Sequence, residues 1–263
     1  MNRQSRLNAI LELLVRNGSL EVDEAAIALH VSSVTIRRDF DSLAEQQLLN
    51  RTHGGAVATG GSFKLPLTYK IARHEEVKKR IASAAAKMVL RHQVVGINGG
   101  TTTTEVARAL AASPEFSPGH VGDPPALTVV TNALNIATEL TVRHHIKIVV
   151  TGGVARPQSY ELTGPYAEQV LSDIVLDIAF VGVDGLDPHI GATARHEDEA
   201  RVNQQIAARA QQVIIVTDSS KFGKHAFAMI RTVEQIDTII TDEGIPDKVF
   251  NSLEKAGVKI VIA

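Results

Sequence analysis

The first 55 residues carry short helical patterns. Leu7, Ile10, Leu11, Leu14 and Val15 recur at spacings of three and four and form one apolar stripe. Residues 22–46 then read as helix, turn, helix. Val22, Ala25, Ala26 and Leu29 make the buried face of the first helix, and Asp23 and Glu24 suit its electropositive N-terminal end. His30-Val31-Ser32 is the turn, where histidine tolerates a left-handed backbone better than bulkier residues do, and Ser32 or Ser33 caps the next helix. In that helix Ile36, Phe40 and Leu43, four and three apart, form one buried stripe, which leaves Ser33, Thr35, Arg37 and Arg38 largely on the open side. Residues 48–55 are expected to form a short β-wing.

The pattern changes past residue 55. Gly54 to Ser62 has the composition of a flexible linker, and Leu65-Pro66-Leu67 reads as extended because proline biases its predecessor away from the helical region. Glu75 to Leu90 is expected to be helical, with Val77, Ile81, Ala84, Ala85 and Met88 on one side. Seven short runs follow: Val94–Ile97, Leu127–Val130, Ile146–Val150, Ile178–Val181, Val213–Val216, Thr238–Ile240 and Val258–Ile262, separated by helix-compatible segments. Continuous apolar runs between helices mean strands covered on both faces, hence a mostly parallel α/β sheet. Ser113–Pro125 reads as a surface loop between the first helix and the second strand of this alternation. The expected division is an N-terminal unit at 1–57, a linker at 58–69 and an α/β domain at 70–263.

Composition narrows the chemistry. At 263 residues, 44% of them hydrophobic, the chain has room for one large domain or a large and a small one. It has no cysteine, which excludes disulfides, thiolate zinc sites, iron–sulfur clusters and cysteine nucleophiles. Without H-E-x-x-H or EF-hand spacing, no metal or other cofactor is expected. No apolar run reaches the roughly 18 residues of a membrane span, and the N-terminus does not read as a signal segment, so the expected location is cytoplasmic, away from membranes. The net charge of −2 gives no global basic field, so any DNA binding must rest on local geometry.

Two constellations carry candidate chemistry. The first is the exposed face made by Ser32, Ser33, Thr35, Arg37 and Arg38, with Arg51 and His53 on the wing. A recognition helix presents such N-terminal positions to base edges, and arginine suits bidentate contact with guanine, while Arg51 and His53 would reach a phosphate backbone or minor groove. The competing reading is a small helical bundle with solvated arginines. Local acids nearly cancel the local bases, so useful affinity would require symmetric dimers on paired half-sites.

The second is Asn98-Gly99-Gly100-Thr101-Thr102-Thr103-Thr104, a strand running through a glycine-rich turn into a helix, with Glu105–Ala111 read as the helical part. Glycines let backbone amides approach an anion, hydroxyls add donors, and the helix dipole favours negative charge. An ordinary threonine-capped turn is the plain alternative. Thr131-Asn132 and Thr151-Gly152-Gly153 follow two further strands, and ligands in open α/β sheets bind beyond the carboxyl ends of strands. Asp184 and Lys221 follow two more; an aspartate suits sugar hydroxyls and a lysine suits phosphate.

Val31-Ser32-Ser33-Val34-Thr35-Ile36-Arg37-Arg38-Asp39, then Leu43 and Arg51-Thr52-His53-Gly54-Gly55-Ala56, resembles the winged helix-turn-helix signature of the DeoR family of bacterial sugar-catabolism regulators. The second half resembles that family's sensor domain through the GGTTT turn, Val129–Asn132, Thr151–Gly153, Gly164-Pro165, Phe180–Gly185, Asp218–Gly223 and Ile240–Asp242. The resemblance implies operator DNA binding, usually as a repressor, and sensing of a phosphorylated sugar by a fold shared with ribose-5-phosphate isomerases and CoA transferases. It also implies a homodimer or homotetramer. Departures are Phe40 for leucine, Gln46-Gln47 for a smaller turn, and Asn98 for aspartate. Glu199-Ala200-Arg201-Val202-Asn203 resembles the branch tied to amino-sugar and galactosamine or tagatose catabolism.

Two rival functions remain at this level. Asp184-Gly185-Leu186-Asp187 resembles an acidic stretch of sugar-phosphate isomerases, with Glu197 or Glu199 as a general base. The following Pro188–Thr193 holds no lysine, however, and none occurs between Lys147 and Lys221, so an enediolate would lack its electrophile. The other rival is a phosphosugar-binding protein whose N-terminal bundle serves dimerisation alone.

Overall fold

The computed structural model describes residues 1–46, 48–58, 74–117 and 123–263. Residues 59–69 of the linker expected at 58–69, with its extended Leu65–Leu67 segment, Gln47 and residues 118–122 lie outside the described residues, as does the side chain of Val15. The chain divides into two units, Met1–Arg73 and His74–Ala263.

In the first unit, helix α1 (Arg3–Asn17) starts where the Asn2 side chain accepts the Ser5 N–H at 2.8 Å. It stops at Gly18, whose φ of 77° lets its N–H return to Leu14 O. After strand β1 (Ser19–Glu21) come α2 (Val22–Leu29) and α3 (Ser33–Glu45). His30 takes the expected left-handed conformation (φ 54°), and the Val31 N–H closes back on Ala26 O. Ser32 caps α3 through the Thr35 N–H; Ser33 instead donates to Asp23. Leu7, Ile10, Leu11, Leu14, Ile36, Phe40 and Leu43 form the core, each large side chain contributing about 1.5–3 kcal/mol by leaving water. The wing is β2 (Asn50–Arg51) and β3 (Gly55–Val57), and β1 pairs on the far side of β3. That third strand is three residues long, too short for a periodic signal.

The second unit is a seven-stranded parallel sheet. Helix α4 (Glu75–Ala86) leads to β4 (Val94–Ile97), α5 (Thr101–Ala112), β5 (Leu127–Thr131), α6 (Leu134–Leu140) and β6 (Ile146–Val150). A hairpin, β7 (Val154–Ala155) and β8 (Leu162–Thr163), precedes α7 (Pro165–Ser172) and β9 (Leu176–Val181). Strands β10 (Gly185–Asp187) and β11 (Gly191–Ala194) follow, then α8 (Glu197–Ala208) and β12 (Ala210–Val216). Strand β13 (Ala228–Arg231), β14 (Thr238–Thr241), α9 (Asp247–Lys255) and β15 (Lys259–Ile262) end the chain. All seven apolar runs are strands of one sheet, in the order β15-β14-β12-β9-β4-β5-β6. Successive residues face opposite cores: Val213 and Ile215 belong to one apolar cluster, Ile214 and Val216 to the other.

Three expectations are corrected. Helix α4 ends at Ala86 rather than Leu90, because Met88 and Val89 bond back three residues instead of four and tighten the last turn. Helix α5 begins at Thr101 rather than Glu105. Its threonines tolerate the first turn because the Thr103 and Thr104 hydroxyls bond the Gly100 carbonyl. Ser113–Pro125 is not all surface: Pro114–Phe116 forms a 3₁₀ turn that buries Phe116 completely. The small antiparallel sheet β10-β11-β13 and the β7–β8 hairpin have no counterpart in the sequence reading.

Candidate functional site

On the first unit, α3 presents its N-terminal turns outward. Ser32 and Thr35 join their hydroxyls at 2.9 Å, which rigidifies the start of the helix. Arg37 and Arg38 are exposed, and among the described residues neither guanidinium has a hydrogen bond or ion pair. Val34, on the same turn, is 55% exposed, an apolar position of the kind that meets a thymine methyl. One residue further along, the buried Asp39 accepts from Arg6 Nε at 2.5 Å and Nη2 at 3.3 Å, which pins α3 to α1.

The wing differs from expectation at Arg51. Its guanidinium pairs with Asp41 at 3.0 Å, donates to Gly55 O at 3.1 Å, and lies 5.4 Å from the centre of the Phe40 ring. Arg51 therefore holds the wing against α3 rather than reaching outward. His53 sits exposed at the wing tip.

In the second unit the strand order places β4, the first strand of the sheet, beside β9, the fourth. Chain order reverses there, and such a reversal opens a crevice at the carboxyl ends of the strands. Asn98 and Gly182 close the two strand ends together: Asn98 Nδ2 donates to Gly182 O at 3.0 Å and Gly182 N–H donates to Asn98 Oδ1 at 2.8 Å. Asparagine serves here because it both donates and accepts, whereas an aspartate could only accept. Gly100, at φ 142°, caps α5 with no side-chain bond, so the amides of Thr101, Thr102 and Thr103 open the helix with no intrahelical acceptor.

The neighbouring strands bring the other expected turns to the same end of the sheet, since β5 and β6 lie next to β4. Their hydroxyls are spent on the backbone. Thr131 accepts from the Ala133 N–H at 3.1 Å, Thr151 donates to Gly152 O at 3.2 Å, and Thr103 turns back onto Gly100. Gly152 and Gly153 have positive φ and steer the chain into the β7–β8 hairpin, where a Cβ on Gly153 would strike the Thr163 backbone. Thr131, Thr151 and Thr103 thus build the turns.

The hairpin delivers a residue that the sequence did not single out. Leu162 N–H bonds Asn132 O, Leu134 N–H bonds Tyr160 O, and these lay Glu161 against the glycine turn. A Cβ on Gly99 would fall 2.7 Å from Glu161 Cδ and Oε1. Asn132 Nδ2 donates to Glu161 Oε2 at 3.0 Å. Burial, and then the nearby Glu199, push the Glu161 carboxyl up to about 8; Asp184 adds to the shift, and the Asn132 and Asn203 amides oppose it. Glu199, buried on α8, pairs with Arg156 Nε at 2.8 Å. The only local hint was a glutamate enclosed by Tyr160 and Leu162, too weak a pattern to separate from a surface strand.

Asp184 accepts the Arg195 N–H at 3.0 Å and lies 3.5 Å from that guanidinium. An open groove of about 510 Å³ runs from Asp184 and Arg195 along Gly223, Lys224, His225 and Ala226, within the range of small-molecule sites. Lys221 is half-buried in the 3₁₀ turn Ser219–Lys221 and does not line this groove; Lys224 does. The turn itself is tied down by Asp242, which accepts from Ser219 N–H at 2.6 Å and Oγ at 2.7 Å. Among the described residues no acidic or histidine cluster suits a metal ion.

Comparison with known proteins accounts for both units. Residues 6–60 match the model of a DeoR-like helix-turn-helix domain, and residues 73–243 match the DeoR C-terminal sensor domain. The chain is 34% identical over 260 residues to a candidate repressor of the aga operon from Escherichia coli O157:H7, covering 98% of this chain and 93% of that one. It is 32% identical over 253 residues to the glycerol-3-phosphate regulon repressor of Escherichia coli strain K12, covering 96% of each. Among solved structures, ribose-5-phosphate isomerase A from Neisseria gonorrhoeae is a distant likeness: 17% identity and a TM-score of 0.41 over 57% of this chain and 54% of that one.

Proposed function

Because this chain belongs to the DeoR family of transcriptional regulators, we propose that it represses a sugar-catabolic operon and is released from DNA by a phosphorylated sugar. In this reading residues 1–57 are the operator-binding domain and 70–263 the sensor. Ser32, Ser33, Thr35, Arg37 and Arg38 meet the duplex, with His53 at the wing tip. The phosphate sits at Gly99–Thr102, and Asp184, Arg195 and Lys224 lie along the path of the sugar. The observation that carries it is the uncapped amino end of α5 at the strand-order reversal, where backbone amides and the helix dipole favour an anion.

Regulation requires the effector to bind the operator-competent and incompetent states unequally; a coupling of about 1–3 kcal/mol changes DNA affinity roughly 5- to 150-fold. A homodimer or homotetramer is the assembly that would convert such a preference into a misfit on paired half-sites. The protein acts in the cytoplasm, where such effectors occur. The test is retention of genomic operator fragments titrated with a panel of sugar phosphates. At least one member should release the DNA and raise the melting temperature, and the Arg37→Ala, Arg38→Ala double variant should lose retention while keeping its far-ultraviolet spectrum. If no sugar phosphate moves either readout, the sensor assignment is wrong.

A further inference from the structure

The first turn of α3 has already spent its side-chain hydroxyls inside the protein. Ser32 and Thr35 join theirs at 2.9 Å, the Ser32 oxygen also accepts the Thr35 N–H at 3.2 Å, and the Ser33 hydroxyl donates to Asp23 at 2.8 Å. Val34 stands among these three with a side chain made only of methyl groups, and it is 55% exposed. A surface contact with this turn is therefore apolar where it is made by Val34.

The second observation is what shares its face. Arg37 and Arg38 follow Val34 by three and four residues, which places all three on one side of the helix, opposite the buried Ile36, Asp39, Phe40 and Leu43. Asp41 continues that side, and its charge is matched by Arg51 at 3.0 Å, so the two arginines keep theirs. At 1.5 Å of rise per residue, Val34 lies about 4.5–6 Å along the axis from the arginines, one or two steps of a duplex that rises about 3.4 Å per base pair. Of the groups that base pairs show in the major groove, the thymine methyl alone is apolar; the rest are donors and acceptors, which an isopropyl group would strip of water without returning a bond.

We propose that Val34 is a specificity-determining residue that reads the methyl group of one thymine in each operator half-site, one or two base pairs from a guanine met by Arg37 or Arg38. Cytosine in that place brings no methyl, and a purine brings a polar edge that Val34 cannot satisfy. Burying one methyl changes affinity about fourfold, or 0.8 kcal/mol. A symmetric pair of half-sites uses the contact twice, which multiplies to about 15-fold. The inference rests on the operator-binding reading above and adds to it one residue and the base that it selects.

The test begins with duplexes that the full chain selects from a random library. In the selected sequence each thymine is replaced in turn by deoxyuridine, which pairs identically and lacks only the methyl, and affinity is measured by fluorescence anisotropy. For the wild-type chain one thymine per half-site, within two base pairs of a guanine, should cost about fourfold when its methyl is removed, and about 15-fold when both half-sites are altered. Val34→Ala should bind the thymine and deoxyuridine duplexes equally, and a selection repeated with it should lose that thymine and keep the guanine. The wild-type scan reads the contact whether or not the variant folds. Deoxyuridine tolerated at every thymine overturns the assignment while leaving operator binding intact, and so does wild-type sensitivity in a folded Val34→Ala chain. If selection yields no shared sequence, the operator-binding reading fails and this inference fails with it.

Discussion

Replacing Glu161 by glutamine should change how the sensor domain's stability depends on pH. The folded chain holds this carboxyl's proton up to about pH 8, against an ordinary value of 4.5, because the side chain is buried and faces Glu199 and Asp184. Unfolded, the group releases its proton near the ordinary value. Between those limits the native state therefore binds more protons than the unfolded one, and stability falls as pH rises. Each pH unit across that window costs about 1.4 kcal/mol, and the full shift about 5 kcal/mol. Below pH 4.5 both states are protonated and the penalty vanishes; above about pH 8 it is complete.

Glutamine keeps the shape and an acceptor oxygen but cannot ionise. Urea denaturation of wild type and Glu161→Gln should therefore give equal stabilities near pH 4.5 and a variant advantage that grows steadily toward pH 8. The charged groups around Glu161 — Glu199, Asp184, Arg156 and Arg195 — remain in both chains, so the difference isolates one residue. Two parallel curves would refute the argument and mean that the carboxyl is solvated or paired in solution.

Further outcomes follow from other contacts. Asp39→Ala strands the Arg6 guanidinium, whose side chain is 14% exposed, and should destabilise the first unit by about 3–5 kcal/mol. An Arg6→Met, Asp39→Leu pair should recover most of that loss in the same melt. Gly99→Ala forces a methyl into Glu161, and isothermal titration should show effector affinity falling by about tenfold, or 1.4 kcal/mol, or more; unchanged affinity would remove the turn from the site.

The strands were legible because each is a short, largely β-branched apolar run, and central ones such as β9 and β12 are buried along most of their length, a pattern that needs no tertiary information. The helix-turn-helix was legible for a similar reason: Ile36, Phe40 and Leu43 leave only one face for solvent. Strands β10 and β11, made of Gly, Leu, Asp, Ala and Thr in runs of three and four, carry no such pattern and exist because their neighbours pair with them. The glycine turn between β4 and α5 could be read from Gly99-Gly100 and the threonines, yet the inward bonding of Thr103, Thr131 and Thr151 could not. A hydroxyl's direction depends on which carbonyl lies near it. Glu161 and Arg195 were hidden for a different reason. Charged and amide residues are ordinarily solvated, and only the folded hairpin and α8 reveal which of them are enclosed.

Arg51 joins three pieces of the first unit with one planar group, through the Asp41 carboxylate, the Gly55 carbonyl and the Phe40 ring. Wing and α3 are thereby a single rigid key. On an operator, a change in groove width under the wing tip would tilt the whole key, so bases several steps away would be misread. Mutations in DNA at positions the helix never touches should then register as losses of sequence discrimination, and cutting that tether should let the two parts fit their grooves separately.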